Sequence, residues 1–282
     1  MRIDLLFGLM VEALAILFAA KVARDQLLKR RGYLVNELVV GQRSLGASVS
    51  QSGYLIGILL GFLGAVSFAG QATSSISVMG HVALFGAVAI VLQLVADQIS
   101  GRLLFHGLAD ASGAAGDSNV SHALGKAAVS IATGLVLRGS MSDPTAGVVA
   151  CVAWFAVGQA LMVAAVLFYY RLTPYDDLAE IKRDNLAASF PIVGILLALG
   201  LVIEAAVATK GDGTMLQTAL HVGKFLGVSL VLVYVFRVLA SYVLLPKTKL
   251  AAAIVDQKSV AAGLQEGVSF LLVSLIVTFF LS

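Results

Sequence analysis

His81-Val82, with Phe85 three residues on, recurs as His221-Val222 with Phe225, about 140 residues later in a chain of 282. Leu45-Gly46-Ala47-Ser48 followed by Gly53 recurs as Leu186-Ala187-Ala188-Ser189 followed by Gly194. Asn36-Glu37-Leu38 has its counterpart in Asp176-Asp177-Leu178. Any two apolar stretches resemble one another by composition, but composition does not produce agreement at polar landmarks. The register drifts by a residue between landmarks, as loop insertions would make it. The chain reads as one unit written twice, residues 1–141 and 142–282.

The unit is built for lipid. Apolar residues make up 59% of the chain, charged residues 12%, and the mean hydropathy is +0.96. Soluble domains are about half apolar and roughly a quarter charged. A hydrocarbon layer about 30 Å thick takes roughly 20 helical residues to cross. Apolar runs that meet this length fall at 4–23, 52–70, 79–104, 119–140, 145–171, 187–208, 215–245 and 259–281. They lack the alternation of a barrel strand, and lipid leaves no water to satisfy an open strand's backbone. The expected fold is all-α and polytopic, with eight transmembrane helices arranged as two parallel four-helix repeats. Each half has an even number of spans, so both enter from the same side, and an axis along the membrane normal is expected to relate them as a pseudo-two-fold pair.

Charge sets the orientation. Lys21, Arg24, Lys29, Arg30 and Arg31 follow the first run, the reverse of a signal peptide's order. Arg43, Arg171, Lys182, Arg183, Lys247, Lys249 and Lys258 fall in connections on the same side, against Arg2, Arg138 and Lys210 on the other. By the positive-inside rule both termini lie outside the cytoplasm. The net charge of +3 is then mainly a topology signal, with no groove-sized basic patch for nucleic acid. Cys151 is the single cysteine, which excludes an intrachain disulfide and a cysteine metal cluster.

The connection before the sixth span carries a helix start: Thr173-Pro174-Tyr175-Asp176-Asp177 offers an N-cap threonine, a proline at the first helical position and acids in the first turn. A short helix through Lys182 is expected, with residues 32–44 as the matching elbow of the first half. Thr173-Pro174-Tyr175-Asp176, then Ile181-Lys182, then Asn185-Leu186-Ala187-Ala188, resembles the signature of the YjfL-like family of bacterial inner-membrane proteins, which carry domain of unknown function three hundred and fifty. The resemblance spans the chain as two copies. It is degenerate in the first, where Gly32-Tyr33, Val40-Gly41 and Ser44 replace Thr-Pro, Ile-Lys and Asn. It implies the architecture and a bacterial inner-membrane location, which with the charge pattern places both termini on the periplasmic side, and it implies no activity.

Ionisable residues inside spans are the pointers to chemistry, since a charge near the bilayer centre costs at least ~2.5–3.5 kcal/mol. Glu12 and Lys224 lie at similar depth, with His221 one turn from Lys224 and Glu204 near the outer end of its span. They suggest a site for an ion or proton, or a structural Glu12–Lys224 pair. Asp97 and Arg237, and Lys126 and Glu266, hold opposite charges at matching repeat positions, as pairs between the halves would. Gln93 and Gln159 add polar groups that can join helices. Gly53, Gly57, Gly61 and Gly64 form a small-residue packing face, thinner in the sixth span at Gly194 and Ala198. His106 and His122 flank a loop with Asp110 and Asp117, at a spacing that fits no metal motif. Phosphate-loop, dinucleotide, zinc-protease and hydrolase-elbow motifs are missing.

The sequence therefore points away from an enzyme, and no cofactor or metal is expected. It points to a channel or transporter for a small cation or proton, with the bilayer as surroundings and a homo-oligomer as a geometry suited to a pore. The alternative is a non-catalytic scaffold whose elbows, 32–44 and 173–185, dock a cytoplasmic protein partner.

Overall fold

The computed structural model describes residues 3–69, 75–106, 108, 119–142, 147–208, 215–244 and 250–281. All regular structure among them is helical: α1 (Ile3–Lys29), a π-helical turn (Glu37–Gly41), α2 (Leu45–Ala69), α3 (Ser75–Leu104), α4 (Val120–Ser140), α5 (Val148–Leu172), α6 (Asp177–Lys182), α7 (Leu186–Ala208), α8 (Met215–Leu244), α9 (Leu250–Val255) and α10 (Val260–Leu281). Among the described residues seven helices are long and apolar enough to cross a membrane: α1, α2, α3, α4, α5, α7 and α10. The expected seventh span coincides with α8, thirty residues long, but its apolar stretch among the described residues is the shorter 219–232.

The most extensive helix contacts form one row, α2 on α4, α4 on α7, α7 on α10. Small residues set that row, because helices in lipid associate through close van der Waals approach rather than by escaping water. In the first repeat Gly53 lies against Ala127, Gly57 against the Ser130 carbonyl, and Gly134 against the Gly57 carbonyl. Gly61 faces Leu137, and a methyl on Gly64 would stand 2.7 Å from the Arg138 Cα. In the second, Gly194 meets Gly267, Gly267 meets the Phe190 carbonyl, and Gly263 meets the Ala187 carbonyl. Pro191, with no N–H to give to the residue four before it, leaves that Ala187 carbonyl free of its usual helical bond. At the junction, a methyl on Gly139 would stand 2.7 Å from the Glu204 carbonyl oxygen, and one on Gly200 2.9 Å from the Ala132 Cα.

This row corrects the pseudo-two-fold expectation. A two-fold axis would make the extensive α4–α7 contact twice, the second time between α10 and α2, and among the described residues those two helices have no such contact. The repeats are joined head to tail, last helix of one on second helix of the next. The remaining helices line the flanks: α1 and α3 on α2, α5 against α3, α4 and α7, and α8 on α7 and α10.

Three connections share one backbone device. Arg43, Asp184 and Lys258 take the left-handed conformation, with φ of 53°, 57° and 49°. The residue after each caps the helix that follows: Ser44 Oγ accepts from Ala47 N at 3.1 Å, Asn185 Oδ1 from Ala187 N at 3.1 Å, and Ser259 Oγ from Ala262 N at 3.4 Å. Arg43 and Asp184 occupy equivalent repeat positions, so the duplication extends to backbone geometry.

The second elbow differs in detail from its expected form. Asp176, rather than Thr173, caps α6, accepting from Ala179 N at 3.0 Å. Thr173 ends α5 instead, its hydroxyl donating to the Tyr170 carbonyl and to Asp177. Pro174 therefore falls between the helices, where its missing N–H costs nothing.

Candidate functional site

A cavity of about 430 Å³ opens among α1, α2, α3 and α4, at the end of the bundle where the basic residues gather. Arg24, on α1, is held from two sides. Its guanidinium donates to the Ser50 carbonyl at 2.8 Å and to Ser50 Oγ at 2.7 Å, and lies 4.7 Å from the centre of the Tyr54 ring. The Tyr54 hydroxyl donates to the Ala20 carbonyl at 3.3 Å, which closes the clamp between α1 and α2. Just past α1, Arg31 donates to Gln98 Oε1 on α3 at 2.8 Å. Arg102 and Lys126 complete the basic lining, with His122 packed edge-on against Phe105 at 5.3 Å.

Asp97 forms the floor. Its carboxylate accepts from the Ser130 hydroxyl at 2.9 Å and from Gln93 Nε2 at 3.2 Å, while the same Gln93 nitrogen donates to the Ser130 carbonyl at 2.8 Å. Gln93 precedes Asp97 by one helical turn, so both reach the same point on α4. Gly57 brings α2 onto that point too, since a methyl there would lie 3.0 Å from Gln93 Nε2. Deeper between the repeats, Gln159 Oε1 stands 3.5 Å from both the Ser100 and the Thr133 hydroxyls.

The second repeat does not rebuild this floor. Counting the repeat from Lys126 to Glu266, Phe270 stands where Ser130 does, buried and edge-on to Tyr169 at 5.8 Å. Counting from Ser48 to Ser189, Ile195 replaces Tyr54 and Pro191 replaces Ser50.

The other charged residues singled out in the sequence are scattered. Glu12 is half-buried on α1, which packs on α2 and α3; Lys224 and His221 are exposed on α8, which packs on α7 and α10. Glu204 pairs instead with Arg138, 3.3 Å away across the α4–α7 junction. Lys126 on α4 and Glu266 on α10 are held apart by α7, which packs between their helices. The side chain of Arg237 lies outside the described residues, as do Asp110 and Asp117. Common depth and matching repeat position do not specify which helix faces point at one another, and the missing dyad removes the axis across which such pairs would meet.

The elbow residues form a bracket. Asn185 Nδ2 donates to Glu180 Oε2 at 2.8 Å and to the Ile254 carbonyl at 3.0 Å, joining α6 to α9. Arg183 pairs with the other Glu180 oxygen at 2.6 Å. Ile181 is fully buried and its carbonyl accepts from Asn119 Nδ2 at 2.8 Å, while Asp184 Oδ1 accepts from Ser121 N at 2.8 Å. The bracket ties the second elbow to the start of α4 in the first repeat. Lys182 and Pro174 are exposed on it, and His106 lies beside it in a second cavity of about 450 Å³.

Sequence reasoning missed Arg24, Ser50, Tyr54, Gln98 and Ser130. Arg24 was legible only as one of a basic cluster, and serine or tyrosine within an apolar run carries no signal of its own.

The family model described as Domain of Unknown Function (DUF350) matches the chain twice, over residues 4–141 and 143–281. No curated protein and no solved structure matches it.

Proposed function

This chain belongs to the DUF350 family as two tandem copies of its domain, and from the cavity in the first copy we propose that it is a multi-pass membrane protein that transports small ions. The observation that carries the reading is Asp97, a carboxylate on a membrane-length helix, positioned by Ser130 and Gln93 at the floor of a cavity. Carboxylates at such depth are costly and sit where a substrate or ion path needs them. Gln93 is fully buried behind Asp97, and its Oε1 has no hydrogen-bond partner among the described residues. That leaves an acceptor for water or an ion beyond the cavity floor. In this reading α8 is the eighth crossing, since thirty helical residues reach about 45 Å at 1.5 Å per residue. The basic end, with the cavity mouth, faces the cytoplasm of a bacterial cell.

The test is flux of protons, monovalent cations and anions into liposomes holding the purified protein, with Asp97→Asn and Glu12→Gln alongside. Asp97→Asn is expected to abolish flux and keep the wild-type melting temperature, while Glu12→Gln keeps flux. A wild type that moves no ion, or an Asp97→Asn protein that moves ions at the wild-type rate, refutes the proposal.

A second reading, a scaffold that docks a cytoplasmic protein, is favoured by the elbow. The Asn185 bracket holds it rigid while Lys182 and Asp176 stay exposed. Lys182 makes no hydrogen bond that builds the bracket, so Lys182→Glu is expected to release a copurifying partner without unfolding the protein. Retention of the partner counts against docking there.

A further inference from the structure

We infer that the cavity of the first repeat binds an oxyanion of the phosphate type, a deepening that rests on reading this cavity as the ion site. Among the described residues four cationic side chains line it, Arg24, Arg31, Arg102 and Lys126, against one carboxylate, Asp97. That carboxylate already accepts two hydrogen bonds at the floor. Among the described residues neither Arg31 nor Arg102 forms an ion pair; Arg31 is aimed by the neutral amide of Gln98. Arg24 is fixed by Ser50 and stacked on Tyr54, so little side-chain freedom remains to be lost on binding.

Planar guanidinium groups present paired N–H donors that match the oxygens of phosphate, carboxylate or sulfate. Among the described residues a cation would meet repulsion from four groups and attraction from one. The volume of about 430 Å³ exceeds the ~30 Å³ share of one water many times over. It holds a hydrated tetrahedral anion or the phosphodiester of a lipid headgroup. Leu27, Leu28, Leu94 and Val129 complete the wall and leave the specificity to the basic rim.

The test uses the intact protein and measures binding rather than flux. Thermal unfolding is followed in neutral detergent with inorganic phosphate titrated against chloride at constant ionic strength. It is then compared in nanodiscs of phosphatidylglycerol and of phosphatidylcholine. Wild type is expected to be stabilised by phosphate, by phosphatidylglycerol, or by both. Phosphate alone identifies a free oxyanion, and phosphatidylglycerol alone a lipid headgroup.

Arg31 and Arg102 are exposed at the rim, so Arg31→Gln and Arg102→Gln keep the fold, and each is expected to weaken the effect about tenfold. Lys29→Gln removes a neighbouring charge from outside the cavity and is expected to change nothing. Stabilisation by neither probe overturns the inference, as does an equal loss in Lys29→Gln, which would mark a diffuse charge effect. A wild type that binds phosphate but passes no ion leaves this site standing and removes the transport reading.

Discussion

The Asp97 carboxylate and the Ser130 hydroxyl stand 2.9 Å apart and join α3 to α4 at the floor of the first-repeat cavity. Ser130 works at both ends, because its carbonyl accepts from the Gln93 amide that also donates to Asp97. Removing the hydroxyl leaves a carboxylate short of a donor where water is scarce. Ser130→Ala is therefore expected to cost about 1–3 kcal/mol of stability and to slow flux through a mispositioned Asp97. Thermal unfolding and liposome flux on one preparation check this; an unchanged melting temperature would show that water replaces the hydroxyl.

Gly57 supports the same point from α2. A methyl there collides with the Ser130 carbonyl and comes within 3.0 Å of Gln93 Nε2. Both neighbours are fixed, one as backbone and one by its hydrogen bonds, so neither yields cheaply. Gly57→Ala is expected to destabilise by about 1–3 kcal/mol and to impair ion flux. Gly101→Ala, where a methyl meets nothing within 4 Å, is the control and is expected to be neutral or slightly stabilising. Equal melting of the two variants would mean that α2 and α4 are less tightly apposed.

What was legible in the sequence divides along a physical line. Hydropathy and length locate membrane helices because the bilayer imposes both on a single segment, and polar landmarks such as the two His-Val pairs expose the duplication. Azimuth is different: Glu12 and Lys224 share a depth, yet α1 packs at the α2 end of the row and α8 on α7 and α10 at the other. Depth follows from counting residues, while facing depends on every other helix. The α2 glycine face was legible for the same local reason. Gly263 and Gly267 on α10, which pack on α7, stand four residues apart and carry the same signal over a shorter run. Thr173 looked like the cap of α6 because Pro174 follows it, but Asp176 outcompetes it with a carboxylate one residue before the helix. In the sequence Arg24 reads as a topology marker, and only the approach of Ser50 and Tyr54 gives it a second role.

The left-handed residues separate backbone strain from side-chain function. A non-glycine residue there costs about 1–2 kcal/mol, part of which glycine returns through its greater freedom in the unfolded chain. Arg43→Gly is expected to raise stability by up to about 1 kcal/mol, because the Arg43 side chain is exposed. Asp184→Gly relieves the same strain but deletes the acceptor for Ser121 N, and is expected to be neutral or destabilising. Chemical unfolding of both variants checks the difference. Equal gains would show that the Asp184–Ser121 bond contributes nothing.

The head-to-tail junction makes the sharpest claim about architecture. α4 and α7 belong to different repeats yet pack as closely as helices within one, through Ala132 and Gly139 on one side and Gly200 on the other. Covalent continuity is then dispensable. Chains 1–142 and 143–282, co-expressed, are expected to assemble in the membrane and copurify through a tag on either half. Gly200→Leu forces a bulky side chain against the Ala132 backbone and the Leu135 side chain, and is expected to abolish copurification while each half still inserts. Gly223→Leu, on the open face of α8, is expected to leave it intact. Copurification that survives Gly200→Leu would locate the junction elsewhere, in the contacts of α5 with α3 and α4 or in the Asn119–Ile181 and Ser121–Asp184 bonds of the elbow. Variants that also replace Asn119 and Asp184 distinguish these, because they break the elbow bonds and leave the α5 contacts in place.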